Sequence, residues 1–341
     1  MKRRGFLKKM AFSGGLLMAG GAKARDTMPV RIPQKPSVLN FGDRVAIVSP
    51  AGSVISDNDI ETAITSVRMM GLTPVPGANL GARWGYLGGR DTERVTDLHD
   101  AFENPAIKAV MPVRGGYGSS RLLPMVDFDL IARNPKAFIG FSDNTSLILA
   151  IYQHSNIITF YGPNAFHDWT HYTRENYRNM LMSTRPAGNL HPPFRRSGAR
   201  LPITTIVNGS ARGRLTGGNL SLMVQTLGTE WEIDTRDKIL FFEDVNESPY
   251  RIDRMLTHLW LARKLQQAAG FAIGDVSVIR DRNDTLDLMS VLRDRFEPLG
   301  KPCFMGFATG HVPDILTIPL GADAEMDATN GIVRVLEGAV V

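Results

Sequence analysis

The sequence predicts an α/β protein of two domains, the first built on a parallel sheet. Length is one reason, since 341 residues exceed what a single hydrophobic core usually organises. Composition is another: 43% apolar and 21% charged residues are those of an ordinary soluble globular protein, so disorder is not the default reading. The third is an alternation of short apolar runs with helical patterns from Arg44 onward, the pattern of parallel strands crossed over by helices.

The first strand is expected at 44–49, where Val45-Ala46-Ile47-Val48 is continuously apolar. Ser56 opens a helical pattern that closes at Gly71, a residue free to take the left-handed conformation of a helix end, and 72–75 returns as a strand. A helix over 92–102 and a strand over 107–113 follow, the strand running into Arg114-Gly115-Gly116-Tyr117-Gly118. Residues 137–141 read as a strand, Ser142 as a turn, 144–153 as a helix and 157–161 as the next strand, so the N-terminal domain is assigned to 38–161. Pro, Gly, Arg and His residues crowd the stretch 162–209 around one helical segment near 174–182, and it is assigned as a linker. The second domain, 210–341, opens with a turn at Thr216-Gly217-Gly218-Asn219, a helix over 220–227 and a strand over 238–242 that ends at Glu243. A stripe of Ile252, Met255, Leu256 and Leu259 predicts a helix over 252–267, interrupted at Arg263. Strands over 271–278 and 301–307 complete the pattern, the latter leading into Gly310-His311.

Charge is unevenly placed. The chain carries a formal +5, but residues 1–24 hold six basic residues and no acid, so +5 less six leaves −1 for the remainder. A chain with that balance has no basic surface excess for nucleic acid, and no nucleic-acid partner is expected. The same 24 residues read as a signal peptide: a basic start, a short apolar run and an Ala22-Lys23-Ala24 cleavage pattern. Arg3 and Arg4 before Gly5-Phe6-Leu7-Lys8 give it the look of a twin-arginine signal, with a periplasmic destination. No later segment has the length and apolarity of a membrane span, so the chain after cleavage is expected to be soluble. Residues 25–37, with Pro29, Pro33 and Pro36, read as an extended leader.

Serine attack on a carbonyl requires a base, a group that orients the base, and backbone donors for the oxyanion. Ser142 stands at the carboxyl end of an expected strand, where open parallel sheets place their sites, and the N–H of Asp143 lies at the start of the next helix. Gly-Phe-Ser-Asp is not the Gly-x-Ser-x-Gly elbow, and capping a helix is the competing role for this serine. The loop at 114–118 fits neither a P-loop nor Gly-x-Gly-x-x-Gly, and suits a backbone oxyanion donor near Gly116. Among seven histidines His311 follows a strand, whereas His258 lies on a helix that packs; Glu243 ends a strand, with Asp244, Glu247 and Asp253 as alternatives. Cys303, the single cysteine, excludes an internal disulfide and reads as a core residue. No His-Glu-x-x-His or similar cluster occurs, so neither a catalytic metal nor another cofactor is expected.

From about Phe41 to Glu337 the pattern resembles the LD-carboxypeptidases, a family that includes microcin C immunity peptidases. The likeness rests on the run from Gly42 to Gly52, on Arg114-Gly115-Gly116-Tyr117-Gly118, Gly140-Phe141-Ser142-Asp143, Gly217-Gly218-Asn219-Leu220, Leu240-Phe241-Phe242-Glu243-Asp244, Tyr250 with Ile252-Asp253-Arg254, Gly310-His311 and Ile318-Pro319-Leu320-Gly321. The resemblance implies a Ser142, His311 and Glu243 triad with oxyanion donors at Gly116 and Asp143. It also implies a C-terminal mixed α/β domain, an active site in the cleft between the domains, a homodimer and a muropeptide substrate that loses its terminal D-Ala. Arg114, Tyr117 and Arg254 are the candidates to hold that substrate. Asn144, in place of an aliphatic residue, and Tyr161-Gly162-Pro163, in place of His-Gly-Pro, depart from the family pattern. The export signal departs from it too, because the family's recycling enzymes usually work in the cytoplasm. An amidase of peptidyl-nucleotide analogues and a non-catalytic muropeptide-binding protein are the rival readings.

Overall fold

Residues 45–48 are buried without exception, as a strand covered by helices on both faces requires. In the computed structural model, which describes residues 32–54, 56–193, 202–279 and 285–341, this run is β1 (Arg44–Val48). It leads through α1 (Asp57–Met69), β2 (Thr73–Pro76), α2 (Asp91–Glu103), β3 (Ile107–Pro112), α3 (Phe128–Arg133), β4 (Ala137–Gly140) and α4 (Thr145–Ser155) to β5 (Thr159–Tyr161). The five strands pair in parallel in the order β2, β1, β3, β4, β5. That order reverses between β1 and β3, the point at which a doubly wound sheet leaves a crevice at its carboxyl edge. The segments 49–53, 113–118 and 141–143 all leave the sheet on this edge.

The remaining elements are α5 (His171–Leu181), β6 (Gly188–Leu190), β7 (Thr204–Val207), β8 (Ser210–Asn219), α6 (Leu220–Gln225), β9 (Ile239–Glu247), α7 (Pro249–Leu261), α8 (Lys264–Gln267), β10 (Gly270–Val278), α9 (Leu288–Phe296), β11 (Cys303–Met305), β12 (Ile318–Leu320), β13 (Asp323–Asp327) and β14 (Ile332–Val335). Eight of these strands form a mixed sheet in the order β6, β14, β13, β8, β9, β10, β11, β7. Its middle strands, β8 to β11, are parallel, and its flanks are antiparallel. The result is a two-domain α/β fold, and residues 32–341 form one compact unit.

Several expectations are corrected. The first sheet is not wholly parallel, because β12 returns from the second half of the chain and pairs antiparallel with β5. The stretch 162–209 is more than a linker: α5 buries Tyr177 and Leu181, and β6 and β7 supply the two edge strands of the second sheet. A polar, Pro-rich composition hid them because edge strands are short and need no continuous apolar run. The expected turn at 216–219 is the end of β8. Gly217 and Gly218 hold φ of 144° and 146°, and a Cβ on Gly217 would stand 1.9 Å from the Phe241 carbonyl oxygen, so the glycines serve close strand approach instead of chain reversal. The helix expected over 252–267 is two helices, divided where Arg263 adopts a left-handed φ of 62°. Glu243 lies inside β9, which continues to Glu247. The signal peptide assigned to 1–24 and most of the leader lie outside the described residues. Among the described residues no helix is long and apolar enough to cross a membrane.

Gly217→Ala should destabilise the fold by about 2 kcal/mol or more, read as a lower urea midpoint, because the backbone of Phe241 cannot yield as a flexible side chain would.

Candidate active site

Ser142 follows β4 by two residues and holds a φ of 63°, an uncommon conformation for a residue with a Cβ. Strain of this kind turns the side chain out of the sheet at a strand-to-helix junction. The local hydrogen bonds enforce it: the Ser142 N–H donates to Tyr161 Oη at 3.1 Å, and Thr145 Oγ1 donates to the Ser142 carbonyl at 2.6 Å. Asn144, the departure noted in the sequence, has its Nδ2 3.1 Å from the Arg114 carbonyl and 3.2 Å from that of Phe141, so it ties the loop after β3 to the turn after β4. Asn164 Oδ1 accepts from the Phe141 N–H at 3.2 Å and completes the support.

Three residues far apart in sequence meet at this turn. His311 Nε2 lies 2.9 Å from Ser142 Oγ, and His311 Nδ1 lies 2.8 Å from Glu243 Oε2. Glu243 is fully buried, and its other oxygen accepts from Tyr161 Oη at 2.7 Å and Asn219 Nδ2 at 3.0 Å. A carboxyl group shut away from water needs such donors, and here they also fix which oxygen faces the histidine. Burial alone would depress the His311 pKa; the hydrogen bond and charge of Glu243, joined by Asp244 and Asp275, outweigh it and hold the imidazole above its ordinary 6.5. The Phe141 ring, 4.9 Å from the imidazole, packs beside it.

The glycine-rich loop after β3 lies against the serine. A Cβ on Gly115 would stand 2.9 Å from Ser142 Cβ and 3.4 Å from the Asp143 nitrogen, and Gly116 holds a φ of 114° with its backbone exposed. Both glycines are therefore required, one for close approach and one for conformation. The Asp143 carboxyl is turned away: it accepts from the Ser119 N–H at 2.8 Å, while Ser119 Oγ donates to the Asp143 carbonyl. Burial pushes that carboxyl above the usual carboxylate range, against the hydrogen bonds from Ser119 and Gly118. Arg94, fully buried, donates to the carbonyls of Pro50 and Gly118, the latter at 3.0 Å, and pairs with Asp91. It thereby joins the loops after β1 and β3.

Arg114 is half-buried beside this loop, with Nη1 donating to the Ser53 carbonyl at 3.2 Å, and Tyr117 is 44% exposed. Arg254 is exposed on α7, and no contact joins it to Ser142, Glu243 or His311 among the described residues. His258 is exposed on the same helix. Asp244 is committed to Ser221, Asp253 to Arg295 and Glu247 to Arg251. Cys303 is buried in the core, and its thiol is pushed up by desolvation. Among the described residues no three His, Cys, Asp or Glu side chains gather where they could hold a metal ion. Sequence reasoning noted Tyr161 only as a departure and missed Asn219, Asn164 and Arg94 as supports. Of these, Arg94, three residues after Asp91 at a helix start, and Asn219, the N-cap of α6, left local signals.

A doubly wound sheet joined to a mixed one, with serine, histidine and glutamate hydrogen-bonded in series, defines a two-domain α/β protein with a serine-centred site. Residues 45–162 match the LD-carboxypeptidase N-terminal domain and residues 212–326 the LD-carboxypeptidase C-terminal domain, and the chain belongs to the LD-carboxypeptidase family. A Bacillus subtilis (strain 168) protein named "Probable murein peptide carboxypeptidase" is 39% identical over 300 residues, covering 86% of this chain and 91% of its own. The muramoyltetrapeptide carboxypeptidase from Oxalobacter formigenes superposes with a TM-score of 0.74 at 27% identity, over 85% of this chain and 97% of its own. MccF in complex with glutamyl sulfamoyl guanosine gives 0.83 at 25% identity, over 91% of this chain and 100% of its own.

Tyr161→Phe removes one partner from both the Ser142 N–H and Glu243. Turnover in a steady-state assay is expected to fall about 10- to 100-fold with the fold retained, as stranding a buried polar group costs ~1–3 kcal/mol.

Proposed function

We propose that this protein is a serine LD-carboxypeptidase that releases the terminal D-Ala of muramoyl tetrapeptides. The observation that carries the reading is the pair of hydrogen bonds, 2.9 and 2.8 Å, that joins Ser142 through His311 to the buried Glu243. In acylation His311 Nε2 takes the Ser142 Oγ proton as the oxygen attacks the carbonyl carbon. The resulting oxyanion is received by the N–H groups of Gly116 and Asp143. His311 then returns the proton to the departing amine of D-Ala, and water, activated by the same imidazole, hydrolyses the acyl-enzyme. Glu243 holds Nδ1–H and stabilises the imidazolium formed in each step. Arg114, in the loop that carries Gly116, suits the terminal carboxylate of the substrate better than Arg254, which makes no contact with the triad among the described residues.

The murein and muramoyltetrapeptide activities in the names of two similar proteins support the substrate class. The likeness to MccF supports a second reading, an amidase of peptidyl-nucleotide analogues. A periplasmic site of action, supported by the twin-arginine pattern of residues 1–24, and a homodimer are part of the first reading.

The deciding assay is D-Ala release from a muramoyl tetrapeptide, followed by mass spectrometry. Ser142→Ala should lower kcat by about 10⁴-fold or more. Release by Ser142→Ala at the unsubstituted rate would sink the mechanism, and turnover of an acyl-sulfamoyl nucleoside but not of the tetrapeptide would select the amidase.

The pH profile tests the base. Catalysis needs neutral His311, so the acid limb of kcat/KM should lie above pH 6.5, where the raised pKa places it, with activity lost as pH falls through that limb. Glu243→Gln removes the charge that raises it and should move the limb to lower pH while reducing kcat. An unmoved limb in that variant would assign it to another group.

A further inference from the structure

A cluster of exposed aromatic residues borders the site without entering the mechanism above. Trp84, Tyr86 and Tyr117 are 46%, 68% and 44% exposed, an unusual concentration of large rings in water beside a reactive centre. Tyr117 follows Gly116 directly, and its ring centroid lies 5.8 Å from that of Tyr86 at an interplanar angle of 58°. The guanidinium groups of Arg90 and Arg121 lie 5.6 and 5.8 Å from the Trp84 ring centroid. Arg121 is fixed by Asp91 through two hydrogen bonds of 3.1 and 2.7 Å.

The backbone beneath these rings is braced. Trp84 and Leu87 exchange N–H to carbonyl bonds of 3.0 and 3.1 Å, the Tyr86 carbonyl accepts from the Ser53 N–H at 3.1 Å, and the Gly88 N–H donates to the Ala51 carbonyl at 3.0 Å. The aromatic turn is thus fastened to the loop after β1, and that loop is fastened to Gly115 by the Gly52 N–H at 3.2 Å. A preformed surface of this kind loses little entropy on binding.

We infer that Tyr86, Tyr117 and the arginine-flanked Trp84 form a saccharide subsite that receives the muramoyl sugar of the substrate. A pyranose presents an apolar C–H face to stack on a ring and hydroxyl and acetamido groups at its edge to accept from guanidinium donors. The cluster offers both: exposed rings at Tyr86 and Tyr117, and guanidinium groups beside Trp84. The inference rests on the muropeptide reading of the reaction and extends it to the sugar end of the substrate.

The test is calorimetric titration of the Ser142→Ala chain with N-acetylmuramoyl tetrapeptide and with the same tetrapeptide lacking the sugar. The sugar-bearing ligand should bind about tenfold more tightly, and adding Tyr86→Ala or Trp84→Ala should erase that difference. Equal affinity for the two ligands, or a preference that survives both substitutions, overturns the subsite. Sedimentation of the Tyr86→Ala chain is read alongside: a dimer that falls apart while the sugar preference stays assigns the rings to contact between copies and overturns it as well. Failure of the reaction itself is separable, since a sugar preference that depends on Tyr86 in a protein that releases no D-Ala keeps the subsite and rejects the carboxypeptidase.

Discussion

Glu243 is fully buried, and the way its carboxyl group is satisfied organises the site. One oxygen receives Tyr161 from β5 of the first sheet and Asn219 from the end of β8 in the second, and the other receives His311 from the loop after β11. A buried carboxyl group without donors would cost several kcal/mol, so these three side chains are held together by a penalty for separation as much as by their own attraction. Because Tyr161 also accepts from the Ser142 N–H, the nucleophile candidate is indexed to the same carboxyl group through its backbone. Sheet, turn and histidine loop share one polar hub.

The hub explains why the surrounding glycines and asparagines are where they are. Gly218 leaves room for Thr145, whose hydroxyl accepts from the Asn219 N–H at 3.0 Å and donates to the Ser142 carbonyl. Gly274 lets the Thr309 backbone pass beside Glu243, since a Cβ there would stand 2.5 Å from the Thr309 carbonyl oxygen and 3.2 Å from Glu243 Cβ. On the first sheet, Arg94, Asn144 and Ser119 join the loops after β1, β3 and β4 into one surface, so Gly116, Asp143 and Ser142 keep fixed relative positions. That rigidity suits the oxyanion role proposed for the Gly116 and Asp143 N–H groups, because donors already in place need no reorganisation during a reaction. The return of β12 to pair with β5 adds a covalent path from the second domain back to the first.

Much of this was legible in the chain. Strands whose runs are largely apolar, such as 45–48 in β1 and 109–112 in β3, announce themselves because burial on both faces leaves little room for polar residues. Ser142, His311 and Glu243 were nominated from their positions near the ends of such strands and from the resemblance of the motifs around them. The short strands β6, β7 and β12 were not legible, since three or four residues carry no period, and their pairing partners lie far away in sequence. Gly217-Gly218 was misread as a turn because φ above zero serves a tight reversal and a close strand contact equally well.

By itself, the sequence determined the order and type of the main elements and the strand-to-helix turn that offers Ser142, because hydrophobic period and glycine placement are local properties. Only the tertiary structure decided that a tyrosine from β5, an asparagine from β8 and a histidine from the loop after β11 converge on one carboxyl group. Hydrogen-bond geometry is set within a few tenths of an ångström by how two sheets pack, and no run of neighbouring residues encodes a distance of that kind.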